Sequence, residues 1–250
     1  MKYNLSKLND PALAAQLESF LDHVIEKCGA NLESVVLYGG VAKADYKTGK
    51  SNVNLLFVMD TIDLDVLDEL SLLFQKATND FKLAFFMLTS SEIAPSSDVF
   101  AVKLFDIKQH HILLHGTDLL QSIEFDKQHL KFIAAQELRN QLSRMKNFYV
   151  WNFNLPEQLL SKVQTGFTTL LINANTFLYL KKAVYFATRR EIIEQLLLEP
   201  EMDETALREL LHIKEGTAEL SPETIRQAYN QLMLQYKQLI KAFKQIQIHE

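Results

Sequence analysis

The chain has 250 residues, 48% of them apolar and 23% charged, with a formal net charge of −5. That balance supports a real hydrophobic core and excludes disordered, collagen-like and low-complexity chains. The length favours two domains over one, and 7 Gly and 5 Pro leave little material for long loops.

In chain order, Asp10 is placed to cap a helix and Pro11 suits its first position. Leu13, Leu17, Phe20, Leu21, Val24 and Cys28 follow at helical spacing, and Gly29 ends the run. Cys28 is the chain's one cysteine, which excludes an intrachain disulfide framework and any cysteine-based zinc cluster. Residues 34–38 are short and β-branched, a strand that runs straight into Gly39-Gly40. Residues 53–59 form a nearly unbroken apolar run, the pattern of a strand buried on both faces. Leu64, Leu67, Leu70, Leu73 and Phe74 predict a helix over 63–76. The nearby Asp60, Asp63 and Asp65 read as a strand end followed by a helix start, where acids favour the dipole. Residues 81–88 read as a third strand, Glu92 as part of a short helix start after Ser90-Ser91, and 112–114 as a piece of a fourth strand. This order calls for a mixed sheet with helices packed on it. His110, His111 and His115 invite a metal reading, but adjacent residues on a strand face opposite ways, and zinc would need a ligand from elsewhere.

After Asp126 the strand signals vanish. Residues 128–153 and 156–186 are long amphipathic stretches, 189–198 and 205–213 are shorter ones, and Ser221-Pro222-Glu223 opens a last helix to about residue 246. The charge changes at the same place. Residues 1–125 carry 10 Lys, no Arg and 17 acids, whereas 126–250 are slightly basic. An acidic front half without arginine is a poor platform for nucleic acid. The expected architecture is therefore α+β: a mixed-sheet domain over 1–125, then an all-α helical bundle over 126–250. Phe148, Tyr149, Trp151 and Phe153 cover the whole perimeter of a helix end and predict an interhelical or interdomain core. Lys181-Lys182 and Arg189-Arg190 read as solvated helix termini. Residues 1–6 show no apolar signal region, and the most hydrophobic windows, 55–59 and 83–88, are far shorter than a membrane span. The expected setting is reducing, soluble and cytoplasmic.

Residues 37–59 read Leu-Tyr-Gly-Gly-Val-Ala-Lys-Ala-Asp-Tyr-Lys-Thr-Gly-Lys-Ser-Asn-Val-Asn-Leu-Leu-Phe-Val-Met. This resembles the signature of the nucleotidyltransferase superfamily with the polymerase-beta-like fold. That signature is an apolar strand, Gly-Gly or Gly-Ser, a short helix, a loop, and a second strand bearing Asp-x-Asp. Residues 98–120 look like a stretch seen in bacterial members with helical C-terminal halves, the antibiotic-modifying type among them. The resemblance implies a cleft for a Mg-nucleotide. Two acids one residue apart on a strand share a face and share metal ions. A third carboxylate on the neighbouring strand completes the site, and the glycine turn lets backbone N–H groups approach phosphates.

The sequence departs from that pattern where the chemistry lives. The Asp-x-Asp positions are Asn52 and Asn54, the Arg-Gly-Asp tail of the short helix is Lys43-Ala44-Asp45, and residues 81–88 contain no acid. Magnesium prefers carboxylate oxygens, and an amide brings no negative charge. The expectation is a catalytically inactive nucleotidyltransferase-fold protein, with no metal and no cofactor, acting as a ligand-binding or protein-interaction module. Gly39, Gly40, Lys43, Asp45, Ser51, Asn52 and Asn54 would line the vestigial cleft, with Lys47 and Lys50 nearby. A nucleotide or small molecule and a homodimer are the partners considered, with neither nucleic acid nor membrane. The alternative is an active enzyme transferring a nucleoside monophosphate from an NTP to a small molecule such as an aminoglycoside, through Asp45, Asp60 and Glu92 as surrogate acids and a Mg-nucleotide. A third reading, a toxin–antitoxin partner, loses ground because the C-terminal half lacks the Arg-x-x-x-x-His pattern of helical RNases.

Overall fold

The computed structural model describes residues 3–5, 8, 10–43, 46, 51–199 and 202–248. The chain divides into two compact units, Met1–Glu124 and Phe125–Glu250. In the first, α1 (Pro11–Cys28) starts where Asp10 accepts a hydrogen bond from the Leu13 N–H at 3.0 Å, and it stops at Gly29, whose φ is +51°. A single 3-10 turn leads into β1 (Leu32–Tyr38), which is followed by β2 (Val53–Met59). Next come α2 (Leu64–Phe81), β3 (Leu83–Thr89), α3 (Ser90–Val99), α4 (Ala101–Gln109) and β4 (His111–Gly116).

The strands form one mixed sheet in the order β3-β2-β1-β4. β1 is antiparallel to β2 and to β4, whereas β2 and β3 run parallel. A parallel pair cannot be closed by a hairpin, so α2 makes the crossover. One face of the sheet carries Val35, Leu37, Val53, Leu55, Phe57 and Leu83 into a core shared with Leu17, Phe20 and Leu21 of α1 and Phe74 of α2. Four rings lock this layer: Phe20 meets Phe57, Phe74 and Phe81 at 5.3–6.3 Å, and Phe57 meets Phe74 at 5.1 Å. On the opposite face Phe86 of β3 meets Phe100, the residue that leads into α4. β2 is buried on both faces apart from half-buried Asn54. Gly116 closes β4 with φ +73°, and a Cβ there would fall 1.8 Å from the Glu33 carbonyl, so only glycine fits.

Three local results differ from expectation. α2 runs on to Phe81 and stops at Lys82, a non-glycine residue with φ +55°, so β3 begins at Leu83. α4 has no forerunner among the expected elements. Trp151 and Phe153 are 83% and 61% exposed within the chain and do not form a core. Tyr149 of that run stacks inward, 5.3 Å from Tyr229, and half-buried Phe148 lies under the Lys162 ammonium.

The second unit is helical: α5 (Lys127–Asn152), α6 (Pro156–Lys182), α7 (Arg189–Leu196), α8 (Glu204–Glu215) and α9 (Pro222–Gln245). α5, α6 and α9 pack on one another around Ala134, Leu138, Phe167, Leu171 and Leu232. Two buried tyrosines tie the layers by hydroxyl donation, Tyr229 to the Met145 carbonyl at 2.7 Å and Tyr236 to the Gly166 carbonyl at 2.8 Å. Fully buried Asn175 holds the segment after α6: its Nδ2 donates to the Phe186 carbonyl at 2.8 Å, and its Oδ1 accepts from the Phe186 N–H at 3.0 Å. No helix of the described residues is long and apolar enough to cross a membrane.

Candidate functional site

The site is built where β1 ends and β2 begins. Tyr38 is the last residue of β1 and pairs with Asn54 of β2. Residues 39–43 form a turn, closed by donation from the Lys43 N–H to the Gly39 carbonyl at 3.0 Å. Gly39 has φ +73°, and a Cβ on it would lie 2.7 Å from Asn54 Nδ2. Glycine is favoured here by its backbone conformation, and a larger residue would also push the Asn54 amide aside. Gly40 follows in the same turn, half-buried.

Asn52 is exposed, Val53 is wholly buried, and Asn54 is half-buried. Strand alternation sends the two amides to the side opposite Val53. Asn54 Nδ2 reaches the Asn52 carbonyl only at 3.4 Å, which leaves most of its hydrogen-bonding capacity open. Ser51 is half-buried just ahead of them. In the parallel ladder Asn54 is matched with Ala84 of β3. Ala84 therefore occupies the neighbouring-strand position from which a third carboxylate would reach the same face. All three anchor positions are neutral, and this donor set does not fit a pair of magnesium ions.

Lys43 points inward. Its ammonium is paired with the Asp106 carboxylate of α4, and the two side chains are only 13% and 7% exposed. The lysine expected to line the cleft is thus a buried tie between the glycine turn and α4. Burial, and then the nearby Asp106 charge, push the Tyr38 hydroxyl up to about 12, so it stays a neutral phenol throughout the physiological range. Asp45, Lys47 and Lys50 lie outside the described residues.

The acids read as helix starts have local structural roles, and Glu92, a surrogate acid of the alternative reading, is among them. Asp63 accepts from the Val66 N–H at 3.0 Å as the cap of α2, and Asp65 sits in that helix's first turn. Glu92 Oε2 accepts from the Thr89 N–H at 2.8 Å in a capping box that starts α3. Asp60 is exposed, with its backbone N–H donating to the Asn31 carbonyl at 2.9 Å. His111 turns one ring nitrogen to Asp118 Oδ2 at 2.9 Å and the other to the Ile107 carbonyl at 3.0 Å. Burial alone would raise the Asp118 carboxyl, but its bonds with His111, Gln121 and the Leu120 N–H outweigh that and hold it below its usual value. No group of three or more His, Cys, Asp or Glu among the described residues is placed to hold a metal ion. In the helical unit the basic pairs are locally partnered, Lys181 with Glu199 at 2.6 Å and Arg190 with Glu215 at 3.5 Å.

Sequence reasoning missed Asp106 and Ala84. Ala84 follows from strand register, which periodicity does not give across a parallel crossover. Asp106 comes from a helix with no recognised signal.

No known family profile and no curated protein matches the chain in sequence. In fold the chain is similar to spectinomycin adenyltransferase AAD(9) from Enterococcus faecialis, solved with ATP and spectinomycin. The TM-score is 0.58 at 8% identity, over 87% of this chain and 98% of that one. The chain therefore has a nucleotidyltransferase-like fold: a four-stranded mixed sheet followed by a helical region.

Proposed function

We propose that this chain is a non-catalytic protein of the nucleotidyltransferase fold, a ligand-binding or protein-interaction module with a metal-free cleft. Residues 1–125 would be its nucleotidyltransferase-like domain and 126–250 its helical bundle domain, in a cytoplasmic protein that takes a nucleotide or small molecule or pairs with a second copy. The observation that carries the reading is the neutral set Asn52, Asn54 and Ala84 on one face of the sheet. Nucleotidyl transfer rests on metal ions that bridge the triphosphate and the attacking oxygen. At about 1.4 kcal/mol per tenfold in rate, the loss of several kcal/mol of transition-state stabilisation costs ~10³-fold or more. Losing every charged ligand leaves no useful turnover. The residues present can still offer a ligand the Asn52 and Asn54 amides and the backbone of the glycine turn.

The alternative reading, an active enzyme that adenylylates or otherwise nucleotidylates a small molecule, draws support from the adenyltransferase of similar fold solved with ATP and its antibiotic. Calorimetric titration of ATP and GTP, with and without Mg²⁺, separates the two, together with transfer of labelled nucleoside monophosphate to an aminoglycoside or spectinomycin. The proposal expects metal-independent binding or none, and no transfer. Mg²⁺-dependent transfer by pure protein, abolished by Asn52→Ala with Asn54→Ala, overturns it.

A further inference from the structure

The connection between α5 and α6 ends the helical unit in an uncovered apolar tip. Val150 and Trp151 stand on the last turn of α5, and Phe153 and Leu155 follow on the way to Pro156, the first residue of α6. All four are exposed, Val150 by 70%, Trp151 by 83%, Phe153 by 61% and Leu155 by 51%. Hydrogen bonds hold the tip in one shape. The Leu155 N–H donates to the Asn152 carbonyl at 2.9 Å, and the Leu159 N–H to the Leu155 carbonyl at 3.1 Å. Asn152 Nδ2 donates to the Phe148 carbonyl at 2.8 Å. A surface fixed in this way has little conformational freedom left to lose on binding.

The size of the tip decides what can cover it. A buried aromatic side chain removes about 150–250 Å² from water, so Trp151 and Phe153 leave about 330 Å² bare, and Val150 with Leu155 bring the tip to about 500 Å². A monomer seldom shows more than that as one apolar patch. A homodimer interface is about 65% apolar, so a core of this area implies about 800 Å² per partner, the standard size of a specific complex.

The rim carries both signs. Lys146, one turn back along α5 from Val150, and Glu157, in the first turn of α6, are both exposed, and neither has an ion-pair partner among the described residues. A two-fold axis sets residue i against j and j against i, so one acid and one base on the same rim complement themselves across it. An anionic lipid surface would attract Lys146 and repel Glu157. The helical half is only slightly basic, so no strong like-charge repulsion opposes its self-association.

We propose that this tip is the two-fold contact of a homodimer, in which Val150, Trp151, Phe153 and Leu155 of two copies cover one another and Lys146 of each copy faces Glu157 of the other. The aromatic run then has its core between two chains rather than inside one. This rests on the second-copy reading proposed above and names the surface that serves it.

The test uses the full chain. Trp151 is its one tryptophan, so intrinsic emission reports on the tip alone. Sedimentation velocity from about 0.1 to 100 μM covers the range in which an interface of this size associates, and the 28.8 kDa chain should pass to twice that mass. Over the same range the emission maximum should move to shorter wavelength and acrylamide quenching should fall. Trp151→Ser and Phe153→Ser should each raise the dimer dissociation constant by about thirtyfold or more, the mark of an interface hot spot. Phe132→Ser removes a comparably exposed ring about 27 Å from Val150 along the same helix and should leave the constant unchanged. Far-ultraviolet circular dichroism confirms that each variant folds. A chain that stays monomeric throughout, or a dimer that both tip variants leave intact, overturns the proposal, while the non-catalytic reading, carried by Asn52, Asn54 and Ala84, stands. Emission that shifts only when vesicles of phosphatidylcholine and phosphatidylserine are added overturns it in favour of a lipid surface. A dimer that is lost in both tip variants supports the contact even where Mg²⁺-dependent nucleotidyl transfer overturns the non-catalytic reading.

Discussion

Replacing Lys43 by Met takes the ammonium of its ion pair away from the Asp106 carboxylate, which is 7% exposed, and sets a neutral thioether in its place. Breaking a buried ion pair from one side costs about 3–5 kcal/mol, because the surviving charge is left uncompensated. Lys43 keeps 13% exposure, so water reaches this pair from the lysine side and the lower end, about 3 kcal/mol, is expected. Asp106→Asn removes the less exposed charge of the pair, keeps the more accessible one, and should cost about 2 kcal/mol. The double variant Lys43→Met with Asp106→Leu removes both charges and should lie within about 1 kcal/mol of wild type. Thermal and urea unfolding followed by circular dichroism measure all four proteins. For a unit of this size each kcal/mol moves the midpoint by about 4 °C, so Lys43→Met should melt roughly 12 °C early. The sum of the single losses should exceed the double by at least about 2 kcal/mol. A Lys43→Met protein within about 1 kcal/mol of wild type, or strictly additive losses, would refute the tie between the glycine turn and α4.

Three further outcomes are expected. Asn52→Asp with Asn54→Asp and Ala84→Glu should create a divalent-cation site: Mn²⁺ at a hundred times its dissociation constant should stabilise the triple variant by about 2.7 kcal/mol and leave the wild-type melting curve unmoved. Asn175→Ala leaves the Phe186 N–H and carbonyl unpartnered inside the helical unit and should cost about 2–4 kcal/mol in urea unfolding. The Asp118 carboxyl is held below its usual value of 3.8, so its contribution is complete above that value and fades as pH falls through the lower folded-state value. His111→Gln should therefore flatten the acid limb of a stability–pH profile while changing little at neutral pH.

Much of this architecture could be read from residue order. Asp10, Pro11 and Gly29 bracket α1 because capping and positive φ are local demands that few residue types meet. The run 53–59 stands as β2 at both ends, since burial on both faces admits only apolar residues apart from half-buried Asn54 near its start. The long helices of the second unit fall within a few residues of their periodic patterns. What stayed hidden depends on distant pairing. Lys43 reads as a cleft cation until Asp106, far along the chain, is folded against it. Ala84 gains its meaning only from the register of two parallel strands. α3 contains Pro95 and a polar run, Ser96-Ser97-Asp98, so its apolar stripe is too thin to register beyond its capped start. Trp151 shows the converse: periodicity counts greasy residues but does not say whether anything lies over them.

β4 completes the sheet from a great distance in sequence. It pairs Ser34 with Gly116 and Tyr38 with His111, whereas β1 and β2 are joined by one short connection. On the ribosome, the stretch between Tyr38 and His111 takes on the order of ten seconds to emerge. Throughout that interval the flank of β1 that β4 will cover offers bare amides and carbonyls beside an apolar sheet. A nascent or truncated chain ending short of His111 would be expected to find its missing strand in a neighbouring copy, and to leave solution as aggregate rather than as folded monomer.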